Sequence, residues 1–449
     1  MNEQVLAHLR AQQQRHVQDL QDFIKIPAVA SQNRGVHECA VWLSDFMQRA
    51  GVTPMVVEEA NFPVLLAEVP GESERSVLIY GHYDVQPADE PDWRYPPFGG
   101  QVVEGRLYGR GTVDDKGPVM ATLEAVRAYL DCGLRPPVTV KFLIEGEEEV
   151  GSPSLPPVLE RYHDFLYCDA LLNFDDNVWF DGRPRVIGGL KGSVKIRLEA
   201  RLNREYHAMN SPVLEGAVWR LVWALNSLMG PDGRIRIRDF YDDVVPPQAE
   251  DIAMLADLNW NGEEILRESG ARAFLGNKNG LEALTALILE PTCNLGGITG
   301  GYVAPERKGV VPAFAAAEMR FGLVPNQTAE AVYQKVCQHL AAEGFDDIDV
   351  QVGGGSNPWA RTPMKGDVVQ ALARSLEKAF GRRIAYQPSY AGSGPEGVFQ
   401  ELFPKMMHAY SGFGPVDDHL HAPNEYIVVD DYLKGIEAVA RFFGEYAGG

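Results

Sequence analysis

The sequence predicts an α/β protein interrupted by a smaller inserted α+β domain, and three observations carry that expectation. Strand-like and helix-like patterns alternate through roughly the first 190 residues, as in a sheet covered by helices. Past the run Gly188-Gly189-Leu190-Lys191-Gly192 the pattern changes to half-exposed strands and amphipathic helices. From Asp367 the first pattern resumes. A chain of 449 residues is also too long for one small core, so two domains are expected on length alone.

Taken in order, residues 18–26 and 40–50 read as helices, the second stopping at Gly51 where a C-cap is wanted. Apolar runs at 64–69, 76–80, 138–144 and 170–174 read as buried strands. Residues 118–130 place Met120, Leu123, Val126, Ala128 and Leu130 mainly on one helical face. After the glycine run, 193–201 alternates as a half-exposed strand, and 212–228 is an apolar helix carrying Trp219, Leu221, Val222 and Leu225. Strand 310–323, helix 329–342 and strand 348–352 follow. The expected division is therefore 1–191, 192–356 and 357–449, with the middle piece inserted and the glycine runs 188–192 and 353–355 as its hinges. Residues 230–290 are richer in charge and proline and are assigned only as helices and loops. Helices at 367–379 and 430–444 and a buried run at 405–410 close the chain.

The bulk numbers exclude several function classes. With 41 basic and 62 acidic residues the net charge is −21, which disfavours nucleic acid or an anionic membrane surface as partner. The five cysteines are scattered and form no CxxC pair, which argues against a disulfide framework and a thiolate zinc site. The N-terminus lacks a basic-then-apolar leader and no apolar run approaches about 20 residues, so a cytoplasmic location is expected.

The chemistry-bearing segments follow the buried runs. Open α/β sheets bind ligands at the carboxyl ends of their strands, which would gather His82, Glu148, Glu149 and Asp176. In Gly81-His82-Tyr83-Asp84 the imidazole and carboxylate are two apart, so an extended chain turns both to one side. A carboxylate beside a metal-bound imidazole fixes its tautomer; a His–Asp pair closing a strand is the alternative. Asp114 and Asp115, in a Gly-rich turn at a helix start, suit either capping or the bridging of two cations. Glu147-Glu148-Glu149 ends an apolar strand, where neighbouring carboxylates repel unless cations offset them. Asp175-Asp176-Asn177 repeats the pattern, and His419 and His421 lie in a polar loop after a further buried run. His408, inside an apolar run, reads as a core histidine.

Together, HxD at 82–84, GRGTVDDKG at 109–117, EGEEEVGS at 145–152 and DDHLHAPNE at 417–425 resemble the co-catalytic metallopeptidases. That family includes carnosinases, cytosolic dipeptidases, aminoacylase, acetylornithine deacetylase and carboxypeptidase G. The resemblance runs from about residue 15 to the C-terminus, in four ordered motifs. It implies a mixed catalytic sheet flanked by helices, with the insert as a lid and dimerisation domain. It further implies two divalent cations per chain, zinc first, with manganese or cobalt as alternatives. Asp114 would bridge them, His82 and Asp176 would complete one site, and Glu149 and His421 the other. Glu148 would be the general base, and Asp84 would orient His82. The Asp114–Asp115 peptide would be cis.

In the insert, His207 matches the family's lid histidine, which polarises the scissile carbonyl, usually in the partner subunit's active site. Arg320, with Gly392 and Ser393, matches the group that grips the substrate carboxylate, and Asn294 is a further candidate for the substrate pocket. The expected activity is hydrolysis of dipeptides or small peptides with a free carboxylate. Deacylation of N-acyl amino acids is the alternative, and a homodimer through the lid is the expected assembly. Two departures bear on substrate choice. His207 is followed by Ala-Met-Asn where the dipeptidase branch commonly has Ser-Gly, and Gly309 stands where that branch often has Thr.

Overall fold

Ser76–His82 and Thr139–Glu145 are buried along nearly their whole length, the pattern of parallel strands covered on both faces. They sit at the centre of a mixed eight-stranded sheet in a computed structural model that describes residues 2–417 and 419–448. Across that sheet the strands run Pro54–Val57, Val64–Val69, Thr139–Glu145, Ser76–His82, Ala170–Asn173, Met407–Tyr410, Arg185–Ile187 and Ala385–Gln387. The four from Thr139–Glu145 to Met407–Tyr410 are mutually parallel, so their carboxyl ends lie along one edge. The helix Lys116–Asp131 packs against Val429–Ala447, which packs in turn against Asp367–Phe380. Tyr129 fixes the first of these contacts by donating its hydroxyl to Ala440 O at 3.0 Å.

The chain divides into two compact units, the larger formed by 1–189, 361–388 and 398–449 and the smaller by 190–360 and 389–397. The smaller unit is built on an antiparallel four-stranded sheet in the order Thr292–Gly300, Phe314–Leu323, Gly192–Arg201, Asp349–Asn357. Val194, Ile196 and Leu198 pack with Ala317, Met319 and Phe321 against Leu221 and Leu228 of helix Ala217–Leu228 and Val336 of helix Ala329–Ala342. Alternate residues face away from that core, as period-two patterning requires.

Two features differ from the sequence reading. The glycines at 353–355 lie inside the edge strand Asp349–Asn357 rather than at a hinge, and the chain leaves the unit at 360–361. The segment 389–397, expected within the returning α/β part, belongs to the smaller unit, where Leu190 bridges Tyr390. Residues 230–290 supply helices Ala249–Asp257, Gly262–Ser269 and Gly280–Leu289, the last opened by a reciprocal Asn279–Glu282 capping box.

Candidate metal centre and active site

Each of the four parallel strands leads to a polar group at or beyond its carboxyl end. His82 is the last residue of its strand, Glu149 follows Thr139–Glu145, Asp175 follows Ala170–Asn173, and His421 lies on the connection after Met407–Tyr410. Asp114 enters from the turn before helix Lys116–Asp131, through a cis Asp114–Asp115 bond. Two glycines make room. Gly111 has φ +92°, and a Cβ there would lie 2.8 Å from Val85 Cγ1. A Cβ on Gly81 would lie 2.5 Å from Asp115 Oδ2, the atom that accepts the His82 N–H at 3.0 Å.

Asp114 faces two imidazoles with its two oxygens. Oδ1 is 3.1 Å from His82 Nε2, and Oδ2 is 2.7 Å from His421 Nε2. Asp175 Oδ2 stands 3.4 Å from His82 Nε2, and Glu149 Oε2 stands 3.6 Å from His421 Nε2. Two groups with metal-ligand geometry result, His82–Asp114–Asp175 and Asp114–Glu149–His421, joined through one aspartate.

The sequence reading expected Asp176 in the first group, and the structure puts Asp175 there instead. Successive side chains leave a strand end in different directions, and here the Asp175 N–H is held by Asn173 Oδ1 at 2.7 Å. Asp176 Oδ1 accepts from Asn177 N at 2.9 Å and from the Arg185 guanidinium.

Asp84 does more than orient His82. It is fully buried, and the His82 ring Nδ1 lies 3.0 Å from its carbonyl oxygen and 3.4 Å from its carboxylate. That carboxylate accepts the backbone N–H of Glu148 at 3.1 Å and of Glu149 at 3.2 Å. One aspartate therefore fixes both an imidazole and the turn carrying the two glutamates. Gln86, which the sequence reading passed over, donates its amide to Glu149 Oε2 at 2.7 Å.

The electrostatics fit bound cations. Burial, together with the charge on Asp114, pushes Asp175 and Glu149 each up to about 7. Burial alone would lower His82, but the surrounding Asp114, Asp175 and Asp84 carboxylates outweigh it and hold the imidazole well above its ordinary value. Asp114 is the reverse case, since hydrogen bonds from both imidazoles overcome its burial and lower it. Carboxylates crowded out of water are costly unless protonated or matched by positive charge. Glu149 Oε1 is buried without a hydrogen-bond partner, an atom left open for a cation. Oxygen and imidazole donors in this mix suit zinc, manganese or cobalt.

Residues 78–445 match the peptidase family M20/M25/M40. The chain belongs to that family. It is 31% identical over 403 residues to the beta-Ala-His dipeptidase of Rattus norvegicus, covering 85% of this chain and 80% of that one. Among solved structures, an M20 family metallo-carboxypeptidase from Sulfolobus solfataricus superposes with a TM-score of 0.87 at 31% identity, covering 97% of this chain and 99% of the other. Human carnosine dipeptidase 1 gives 0.76 at 28% identity, covering 100% and 99%.

In the smaller unit of this M20 chain, the residues expected to hold a substrate carboxylate come together. Arg320 and Asn294 are cross-strand partners, both exposed. Arg320 Nη2 donates to Ser393 Oγ at 2.7 Å, Ser393 donates to Ser193 Oγ at 3.0 Å, and Gly392 O accepts the Lys191 N–H at 3.1 Å. Segment 389–397 thus brings Ser393 onto the sheet, a contact that sequence distance hides. His207 lies exposed on a separate two-stranded pair with Val310–Val311, and its Nδ1 accepts from Met209 N at 3.2 Å. Asp418 of the last motif lies outside the described residues.

Proposed function

We propose that the protein is a two-cation dipeptidase, hydrolysing the amide bond of dipeptides or small peptides that carry a free carboxylate. The observation that carries this reading is the division of Asp114, with one oxygen toward His82 and the other toward His421. His82 and Asp175 would hold one cation with it, and Glu149 and His421 the other. When bound, such a pair would supply Lewis acidity and bring the pKa of bound water down towards neutrality.

The residues have separable tasks in this reading. Glu148, whose backbone is tied to Asp84, takes a proton from the attacking water and returns it to the leaving amine. Asp84 keeps His82 in one tautomer. Arg320, braced by Ser393, pairs fork to fork with the substrate carboxylate, while Asn294 and Gly392 line the same surface. His207 polarises the scissile carbonyl. The curated relatives named as dipeptidases support the substrate class, and zinc is the cation the imidazole–carboxylate set suits first.

A homodimer through the smaller unit is part of the proposal. Helix Ala217–Leu228 presents Trp219, Val222 and Trp223 to solvent, with the two indoles stacked at 5.7 Å. Strand Thr292–Gly300 adds exposed Leu295 and Ile298 along a sheet edge. Surfaces of this kind on a sheet edge mark association sites. A cytoplasmic location completes the reading; among the described residues no helix is long and apolar enough to cross a membrane.

The test is an assay of the zinc-, manganese- or cobalt-loaded chain on dipeptides against N-acetyl amino acids. Dipeptides should be turned over faster. Glu148→Gln should lower kcat by about 10²–10⁴-fold with cation content unchanged. Preference for the N-acetyl compounds would favour the deacylase alternative, and unchanged turnover in the Gln variant would remove Glu148 as base.

A further inference from the structure

The two ligand groups share Asp114 but are built differently. His82 ends a buried strand and Asp175 follows the neighbouring strand by two residues, so both ride directly on the sheet. His421 instead sits on the connection between Met407–Tyr410 and Tyr426–Val428, with φ +55° and its side chain 52% exposed. Asp114 is also loop-borne, between Arg106–Tyr108 and helix Lys116–Asp131. Something must hold these two loops in register, and the residue that does so is Glu425.

Glu425 is fully buried four residues after His421. Its Oε1 accepts the N–H of Gly111 at 3.0 Å and of Val113 at 2.9 Å, with the Thr112 hydroxyl at 3.4 Å. Its Oε2 lies 2.7 Å from Arg110 Nη1. Its own carbonyl accepts the Gly109 N–H at 3.0 Å. One carboxylate thereby gathers the backbone that runs into Asp114.

Arg110, only 1% exposed, extends the grip in the other direction. Its Nη2 donates to Ala422 O and Pro87 O, each at 3.4 Å. Ala422 is the neighbour of His421, and Pro87 follows Gln86, the residue whose amide holds Glu149. Asp114, Glu149 and His421 therefore all trace, within one or a few residues, to a single buried ion pair. His82 and Asp175 ride directly on adjacent strands, so the pair reaches His82 only indirectly, through Asp84 three residues before Pro87.

We propose that the Arg110–Glu425 pair is a positioning latch that sets the affinity of the cation held by Asp114, Glu149 and His421, with little effect on the one held by His82, Asp114 and Asp175. The inference rests on the two-cation reading above. Breaking a buried ion pair leaves an unmatched charge and frees the groups it held. Two of the second group's three ligands are on the freed loops. In the first group only Asp114 is, and two sheet-borne ligands remain to retain a cation.

Cobalt(II) titration of the chelator-stripped full chain, read by calorimetry and visible absorption, counts the cations and separates their affinities. His421→Ala identifies the phase belonging to the second group and Asp175→Asn that of the first. Glu425→Gln should weaken the His421 phase by about 10–100-fold, the usual cost of losing a residue that orients a metal ligand, and leave the other phase within about twofold. A merely structural role would weaken both phases together or change only thermal stability with both affinities intact, and either result overturns the latch. Should Glu425→Gln fail to fold by far-UV circular dichroism, Arg110→Lys repeats the test with the buried charge retained and the fork to Ala422 and Pro87 removed. It should shift the same phase alone by a smaller factor, and unchanged affinities there overturn the latch equally. If the unsubstituted chain binds fewer than two cobalt ions, the two-cation reading itself falls and takes the latch with it, a result visible before any variant is made.

Discussion

The largest sheets of the two units put their polar residues in opposite places. In the larger unit they collect at and beyond the ends of parallel strands, with His82 1% and Asp114 6% exposed and His421 half-exposed at the rim. In the smaller unit they stand mid-strand on the open face of an antiparallel sheet, where Arg320 and Asn294 are exposed. The difference assigns each set its work. Crowded buried carboxylates are costly unless they are protonated or matched by positive charge, so the first set suits cations. An exposed guanidinium braced by one serine keeps its charge hydrated, which fits the substrate-carboxylate role proposed for the second set.

The largest effect that would break this comparison is expected at Asp114. Asp114→Ala should strip both cations and abolish turnover, exceeding the roughly 10–100-fold cost of losing an outer partner. Elemental analysis of the purified variant decides the point, and two retained cations would mean the aspartate is not shared. Next comes Arg320→Met, which should lower kcat/KM by about 10–100-fold, the cost of about 1.5–3 kcal/mol for a charged hydrogen bond. The loss should fall on KM and leave cation content intact. Loss of cations there would blur the line between the two sets.

How much of this was legible in the sequence follows the same division. Buried runs point to the strand ends where His82 and Glu149 lie, while the roles of Asp114 and His421 were expected only from the resemblance of four ordered motifs to a known family. Asp175 was not expected, because choosing between two adjacent aspartates requires knowing where Asn173 and Arg185 sit in three dimensions. The Arg110–Glu425 pair spans 315 positions, and no local pattern records such a contact. The return of 389–397 to the smaller unit was hidden for a related reason. Its Tyr-Ala-Gly-Ser-Gly run reads as an ordinary loop, and its membership is decided by Leu190, Lys191 and Arg320. The misplaced hinge at 353–355 shows that glycines alone do not distinguish an edge strand from a linker.

A third prediction concerns the apolar face of the smaller unit. Trp219→Ser combined with Trp223→Ser should weaken the proposed dimer by about 30-fold or more, the effect of a hot-spot residue worth about 2 kcal/mol. Sedimentation equilibrium across a concentration series measures it. An unsubstituted chain that remains monomeric at high concentration would remove the dimer from the proposal.

The smallest effect tests whether burial alone separates the regions, and His408 supplies it. It lies in the same sheet as His82 and is as deeply buried, yet its Nδ1 meets only the Tyr410 hydroxyl at 2.9 Å and its Nε2 has no partner. Burial pulls its pKa down to about 3, whereas the carboxylates hold His82 well above its ordinary value. A depressed imidazole stays neutral in the folded chain while the unfolded chain protonates below about 6.5, so stability falls as pH drops from that value toward 3. Between pH 7 and 5.5 this one residue should remove about 1 kcal/mol. His408→Gln, which keeps an acceptor for Tyr410, should flatten the pH dependence of denaturant unfolding by that amount and leave cation content unchanged. Identical pH slopes in the two proteins would mean that the His408 site is wetter than its packing indicates, and that hydrocarbon surroundings do not set it apart from the strand ends.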